Sequence, residues 1–354
     1  MRSKFLIILL AAIILVGATG CIKFKKQTTT QSKLGGVFFT DDRFETWKTH
    51  SLLMTPGETA GSISGVDVYT MKIDPSDNEA VYAATRADGL YYSYNGGAGW
   101  NKSSKLPAGF VRDIVVDPKS KCVIYAAVEN KLWKSNDCAR TWQNIYYTDN
   151  VEKKIAAMDI DWYEPKILYA GLTDGSFIKS ENYGVSWQLL NKFDVRVNKI
   201  IVDPFDSRNV YLGLLTGGFY KTTDKGKTIE DLNKAMKDFK GAKTYYDFDV
   251  SRSSKNVIVY ASKFGLLRSL DGGTTWSEVK ILTPPATEMI YAVAIDPSNA
   301  NYMYYSTDTA VYKTIDGGKN WVVKKTPTTR VVSSIIVHPK EGNKILVGVK
   351  EAVQ

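Results

Sequence analysis

The sequence predicts an all-β fold: a seven-bladed β-propeller of four-stranded antiparallel blades, with the last blade closed by N-terminal strands. Three observations carry this. A turn phrase, Ser/Thr-x-Asp/Asn-x-Gly-x-Ser/Thr-Trp, recurs seven times. A second phrase, an apolar strand ending in Asp-Pro followed by a Val-Tyr-Ala-type strand, alternates with it. The two ends of the chain each hold half of one repeat. Four short strands per unit at a period of 40–50 residues is the signature of a propeller blade.

The turn phrase is clearest at Ser269, Asp271, Gly273, Thr275, Trp276, and again at Thr314, Asp316, Gly318, Trp321. Earlier copies are Ser93, Asn95, Gly97, Trp100; Ser135, Asp137, Thr141, Trp142; and Ser180, Asn182, Gly184, Ser186, Trp187. Thr222, Asp224, Gly226, Thr228 has Ile229 in the Trp slot, and Thr40, Asp42, Thr46, Trp47 has Phe44 in place of Gly. The acid or amide positions 42, 95, 137, 182, 224, 271 and 316 are therefore spaced by 53, 42, 45, 42, 47 and 45 residues. The Asp or Asn side chain is expected to accept from amides two residues on, with the Ser/Thr hydroxyl joining it. Gly supplies positive φ, and Trp lies over the neighbouring sheet. Each acid stands alone in its own turn, so the seven are structural rather than a calcium site, which needs several oxygens together.

The second phrase appears as Ile73-Asp74-Pro75 before Val81-Tyr82-Ala83, Val116-Asp117-Pro118 before Ile124-Tyr125-Ala126, and Val202-Asp203-Pro204 before Val210-Tyr211. Ile295-Asp296-Pro297 before Met303-Tyr304 and Val337-His338-Pro339 before Ile345-Leu346 repeat it. Asp161 before Leu168-Tyr169 lacks the Pro, and Arg252 before Val259-Tyr260 marks a degenerate copy. Pro cannot donate to a ladder, so each phrase ends a strand and seeds a turn. One insertion, Glu230–Lys243, carries Leu232, Met236 and Phe239 at helical spacing. It is read as a short helix packed on the ring, or a partner-docking helix.

Residues 1–21 read as a secretory signal: Arg2 and Lys4, twelve apolar residues from Phe5 to Val16, then small residues before Cys21. Twelve is short of the twenty or so a membrane span needs. Ala18-Thr19-Gly20-Cys21 resembles a bacterial lipobox, with Ala18 where that motif usually has Leu, and implies lipid on Cys21. An uncleaved anchor from Phe5 to about Ile22 is the alternative. Either places residues 34–354 outside the cytoplasm, as a membrane-anchored envelope protein, with residues 22–33 as a polar tether.

The turn phrase is also the mark of a family. The repeats resemble the Asp-box (bacterial neuraminidase) repeat superfamily, over essentially all of Leu34–Gln354. Within it they look like photosystem II stability/assembly factor-like propellers; sortilin-type propellers and xyloglucanase-type glycoside hydrolases are also similar. The resemblance implies that the Asp turns lie opposite the functional face, which is built from loops joining strands two to three and blade to blade.

Sialidase chemistry is disfavoured, because the family's N-terminal Arg-Ile-Pro is missing and its ring has six blades. Xyloglucanase-type chains carry two propellers around a cleft, whereas this chain predicts one ring. Loop carboxylates that a glycosidase could use are Asp88, Asp149, Glu152, Asp174, Asp194, Asp247, Glu288 and Asp308; such chemistry needs two of them facing across a cleft. Only His50 and His338 exist, and no phosphate loop, zinc spacing or nucleotide fingerprint is visible, so no cofactor and no metal are expected. The net charge of +9 comes from scattered Lys with no basic helix or arginine-rich arm, which argues against a nucleic-acid partner.

The sequence thus reads as a cell-surface binding or scaffold propeller without catalysis, for protein interaction or assembly. A carbohydrate-binding protein or an extracytoplasmic glycoside hydrolase is the alternative. Candidate binding residues near blade entries and loop tips are Phe110, Arg112, Tyr146, Tyr147, Arg196, Phe264, Tyr291 and Arg330, aromatic and Arg side chains being typical interface anchors. If Glu129-Asn130 is a two-residue hairpin loop, Val128 pairs with Lys131 and position 122 faces 137. This register places Cys122 near Cys138 and predicts a disulfide in blade two.

Overall fold

The computed structural model describes residues 32–54, 60–284, 286–308 and 310–352. The signal, Cys21 and most of the tether lie outside them. Seven four-stranded sheets follow one another, each an antiparallel meander. Blade 1 runs Val68–Asp74, Asp77–Thr85, Leu90–Ser93, Asn101–Lys102; blade 2 runs Val111–Val116, Ile124–Val128, Lys131–Ser135, Gln143–Tyr147. Blades 3 to 6 begin at Ile155–Ile160, Val197–Val202, Tyr245–Val250 and Ala292–Asp296. Blade 7 joins Val331–Val337 and Ile345–Lys350 to the N-terminal strands Gly36–Thr40 and Lys48–Thr49, with Phe38 opposite Val347 and Thr40 opposite Ile345. The ring therefore closes through the two ends of the chain, and both edges that would otherwise be open are paired.

First strands touch first strands all the way round, from Val68–Asp74 through Val331–Val337 and back, so they line the axis. Between each pair of blades lies one apolar cluster, and each takes in one residue from the Trp slot. Trp100 fills the seam between blades 7 and 1, and Ile229 occupies the seam between blades 3 and 4. Seam packing is thus the hydrophobic core, and the Trp slot is its outer wedge.

The seven turns share one hydrogen-bond pattern, which differs from the one expected. The Asp or Asn oxygen accepts from the amide four residues on, not two: 2.9 Å from Thr275 to Asp271, 2.9 Å from Thr228 to Asp224, 2.9 Å from Gly99 to Asn95. It is the Ser/Thr hydroxyl that caps the near side, donating to the acid and accepting from the residue in the Gly slot, as Ser269 does at 2.8 Å to each. The reason is that two consecutive residues after the acid have positive φ, for example Gly272 and Gly273 or Lys225 and Gly226, which turns the chain more tightly than one would. A Cβ on Gly226 would lie 2.3 Å from Leu190 Cδ1. Phe44 and Ala139 hold the same backbone at φ 71° and 66°, both with side chains buried in a seam.

The Asp-Pro acids make a different turn, accepting amides two or three residues on: Ser76 to Asp74 at 2.8 Å, Phe205 to Asp203 at 2.8 Å. His338 does this with Nδ1, accepting from Glu341 at 3.0 Å. In blade 5 the acid's place is taken by Ser251, whose Oγ accepts from Ser254 at 3.0 Å, so Arg252 stands in the Pro slot rather than the Asp slot. The two turns of every blade are tied by one bond, from the residue after the acid to the first turn: Gly96 to Glu79 at 2.9 Å, Lys225 to Arg208 at 3.0 Å, and Arg43 to Asn343 at 3.2 Å. In blade 2 this bond is Cys138 to Cys122, 3.1 Å, with the Cα atoms of the two cysteines 3.9 Å apart; Val128 faces Lys131. The insertion after blade 4 forms only a 3₁₀ turn, Leu232–Met236, capped by Asp231. Leu232 and Met236 bury into the blade 4/5 seam with Phe239 against it, so apolar spacing here marks packing and not a full helix.

Candidate functional site

Both turn types lie at one end of the blades, so the other end carries the loops between strands two and three and between blades. There the axial channel opens into a mouth of about 250 Å³. Its wall has a structural cause. In six blades the first strand carries a β-bulge near its start, leaving one residue opposite nothing: Tyr69, Arg112, Ala156, Asn198, Tyr246 and Ser333. All six line the mouth. In blade 6 the corresponding place belongs to Tyr291, whose amide donates to Ser306 O at 3.0 Å just before the strand. A bulge re-aims its extra side chain, and here it turns one side chain per blade toward the axis.

The mouth is unequal around its rim. On the side of blades 1 and 2 the Arg112 guanidinium lies 4.3 Å over Phe110, whose ring meets Tyr69 edge-on at 4.7 Å, and Lys350 lies 5.1 Å over Tyr69. Arg86 stands 5.9 Å from the Phe110 ring. Arg112 and Lys154 share one carboxylate, Glu129, at 3.6 and 3.4 Å. Burial lowers the Arg112 pKa, Glu129 opposes this, and the neighbouring Arg196 charge adds to the lowering. Burial and Arg86 likewise lower that of Lys350. Arg112 Nε and Arg196 Nε and Nη2 are buried and have no hydrogen-bond partner among the described residues. Buried unpaired donors on charged groups are costly, and an anion would satisfy them. Across the mouth, blades 5 and 6 offer Tyr245, Tyr246, Tyr291 and the half-exposed Met289. The Tyr291 phenol is pushed up to about 12 by burial and by Asp308.

Below the mouth, carboxylates stitch the blades together. Asp113 accepts from the Met158 amide of blade 3 at 2.8 Å, Asp159 from Val202 of blade 4 at 2.7 Å, and Asp247 and Asp249 from Val293 and Ile295 of blade 6 at 2.9 and 2.8 Å. Lys199 closes the blade 4/5 seam on Asp247 at 2.8 Å. Burial raises the pKa values of Asp113, Asp159 and Asp249. Of the loop carboxylates singled out from the sequence, Asp247 alone lines the mouth, and it is held by Lys199 and two amides. Among the described residues no group of three or more His, Cys, Asp or Glu side chains is placed to hold a metal ion.

The eight candidate binding residues therefore separate. Arg112 and Tyr291 are in the mouth, with Phe110 and Arg196 beside Arg112. Tyr146 and Tyr147 lie on the outer rim between blades 2 and 3. Phe264 packs on Phe239 at 5.1 Å, covering the insertion. Arg330 is spent on internal pairs with Asp67 and Glu351 and on the Lys33 carbonyl at 3.1 Å. Tyr69, Asn198, Tyr246, Lys199 and Lys350 were missed by motif reading. Aligning the repeats on their first strands would have found the first three, because in blades 1 to 5 the bulge residue is second in its strand.

Residues 186–350, less than half of the chain, match the family described as photosynthesis system II assembly factor YCF48. No curated protein matches. Among solved structures, the fold is shared with YCF48 bound to D1 peptide (TM-score 0.62, 13% identity, 81% of this chain and 94% of that one) and YCF48 from Cyanidioschyzon merolae (0.61, 12%, 84% and 97%). It is shared also with the GH74 xyloglucanase from Xanthomonas campestris (0.66, 15%, 81% of this chain). The chain spans about half the length of that hydrolase, 51%. The chain is thus a seven-bladed propeller of Asp-box repeats whose second half matches the YCF48 family.

Proposed function

We propose that this protein is a non-catalytic binding propeller of the cell envelope, anchored through lipid on Cys21, which grips an acidic segment of a protein partner in its loop-face mouth. The observation that carries the reading is the pair of neighbouring guanidiniums, Arg112 and Arg196, whose buried Nε groups and Arg196 Nη2 have no hydrogen-bond partner among the described residues, Arg112 meeting Glu129 only through Nη2 at 3.6 Å. A carboxylate from a partner would supply it, while the Tyr69–Phe110 and Tyr246–Tyr291 sides take apolar or aromatic side chains. The solved YCF48 with a D1 peptide supports a protein ligand for a propeller of this fold.

The place where the chain enters the ring supports a membrane-side partner. Ser32 bridges Thr328, Thr328 Oγ1 donates to Leu34 O at 2.6 Å, and Arg330 fixes Lys33, all at the blade 6/7 connection on the loop face. A lipid on Cys21 would hold the protein at the membrane, within reach of the outer segments of membrane proteins. Among the described residues no helix is long and apolar enough to cross a membrane.

The test is co-purification from detergent-solubilised membranes. Wild-type protein is expected to retain discrete membrane-protein partners that Arg112→Gln/Arg196→Gln loses at unchanged melting temperature. Cys21→Ser is expected to move the protein out of the membrane fraction. Partners retained in full by the double variant would overturn the mouth as the site, and a membrane-bound Cys21→Ser protein would overturn the lipid anchor.

A further inference from the structure

A crevice of about 700 Å³ belongs to neither the mouth nor the channel. It lies on the outer rim between blades 2 and 3, where outer strands Gln143–Tyr147 and Gln188–Lys192 flank it. Both strands run five residues, whereas the outer strands of blades 1 and 4 run two. The crevice is therefore walled along its length. Its floor is a pair of tilted rings, Tyr146 of blade 2 and Trp187 of blade 3, 5.6 Å apart at 46°. Tyr147 stands on the rim with 66% of its surface free, and Leu189 is also exposed.

The polar groups here are of a particular kind. Asp149 and Lys153 pair at 3.2 Å in the open, leaving further acceptor and donor capacity on both. The Tyr146 hydroxyl stands close enough to both for their charges to act on it, and burial with Asp149 raises its pKa. The pair cancels, so the crevice offers aromatic faces, hydroxyls and a carboxylate–ammonium couple with no net field. An anionic ligand gains nothing there over water. A purely apolar segment would have to desolvate the ion pair. Chained hydroxyl-bearing rings suit it: their C–H faces stack on aromatics, and each hydroxyl can both donate to Asp149 and accept from Lys153.

We propose that this blade 2/3 crevice is a second, independent binding site, for a neutral oligosaccharide of a few sugar units. It does not depend on the partner reading of the mouth, which shares no lining residue with it and is basic.

Isothermal titration of the full-length protein with a β-1,4-linked glucose tetramer and an N-acetylglucosamine tetramer tests it. Saturable binding of at least one is expected, weakened tenfold or more by Tyr147→Ala and by Asp149→Ala. Both residues are exposed, so melting should be unchanged, and Arg112→Gln should leave the sugar affinity alone. Absence of saturable binding to either tetramer would overturn the proposal. So would binding that survives Tyr147→Ala, or binding that Arg112→Gln removes.

Discussion

At the scale of the residue, the recurring acid is a fastener. Asp271 accepts from the Thr275 amide at 2.9 Å and hydroxyl at 2.6 Å and from Ser269 at 2.8 Å, all within its own turn. Each such acid is spent on its own turn, which is why seven of them around the ring do not make a site. Replacing it by Ala strands those donors at a largely exposed turn and should cost about 1–2 kcal/mol, read as a lower denaturation midpoint without loss of fold. The acid also gives the fold a pH dependence of known sign. The Thr228 amide and hydroxyl hold Asp224 down at about 2. A carboxylate depressed in the folded state contributes stability above its unfolded pKa near 4, and that contribution disappears as pH falls toward 2. Asn can keep the same bonds, as Asn182 does by donating to Ser186 Oγ at 2.8 Å. The difference in melting temperature between wild type and Asp224→Asn should therefore be constant from pH 5 to 7 and shrink between pH 4 and 2. A gap that widens on acidification would contradict the role given to the carboxylate.

At the scale of the element, the blade is two turns tied to each other at one end and a bulge at the other. The tie was visible in the sequence only as two phrases in alternation; that one backbone bond joins them is a matter of register. The near-opposition of Cys122 and Cys138 was legible because a two-residue loop fixes register for the whole hairpin. We propose that their bridge forms in the mature protein, a covalent copy of the contact other blades make by hydrogen bond, closing a loop worth on the order of 3 kcal/mol. Native protein should resist alkylation at both thiols until reduced, and reduction should lower its melting temperature; two thiols alkylated without reductant would rule it out. Motif reading failed where chemistry depends on aim. Arg330 and Arg112 look alike in sequence, yet one is consumed clamping the chain entry and the other turns inward from a bulge. The helical spacing of Leu232, Met236 and Phe239 misled for a related reason: a short capped turn suffices to bury all three.

At the scale of the whole molecule, strand count, blade count and closure followed from the repeat period and the half-repeats at the two ends, because a repeat that cannot bury its own face must stack on its neighbours. The site did not follow, since its wall is assembled from one residue per blade and no local stretch of sequence contains it. The same geometry that closes the ring gives it two unlike ends. At one, the acids of both turn types accept amides within their own turns. The other leaves buried cationic donors unpaired beside aromatic faces. Such a molecule should hold its shape without a ligand and meet its partner through one end. Site-specific photocrosslinking in intact cells tests this most directly, with the photoreactive residue placed at Tyr246 in the mouth or at Thr275 on the opposite end. The account predicts a discrete protein adduct from position 246, lost when Arg112 and Arg196 are changed to Gln, and none from position 275. The same adduct from both ends, or one from position 246 that ignores the arginines, would contradict it.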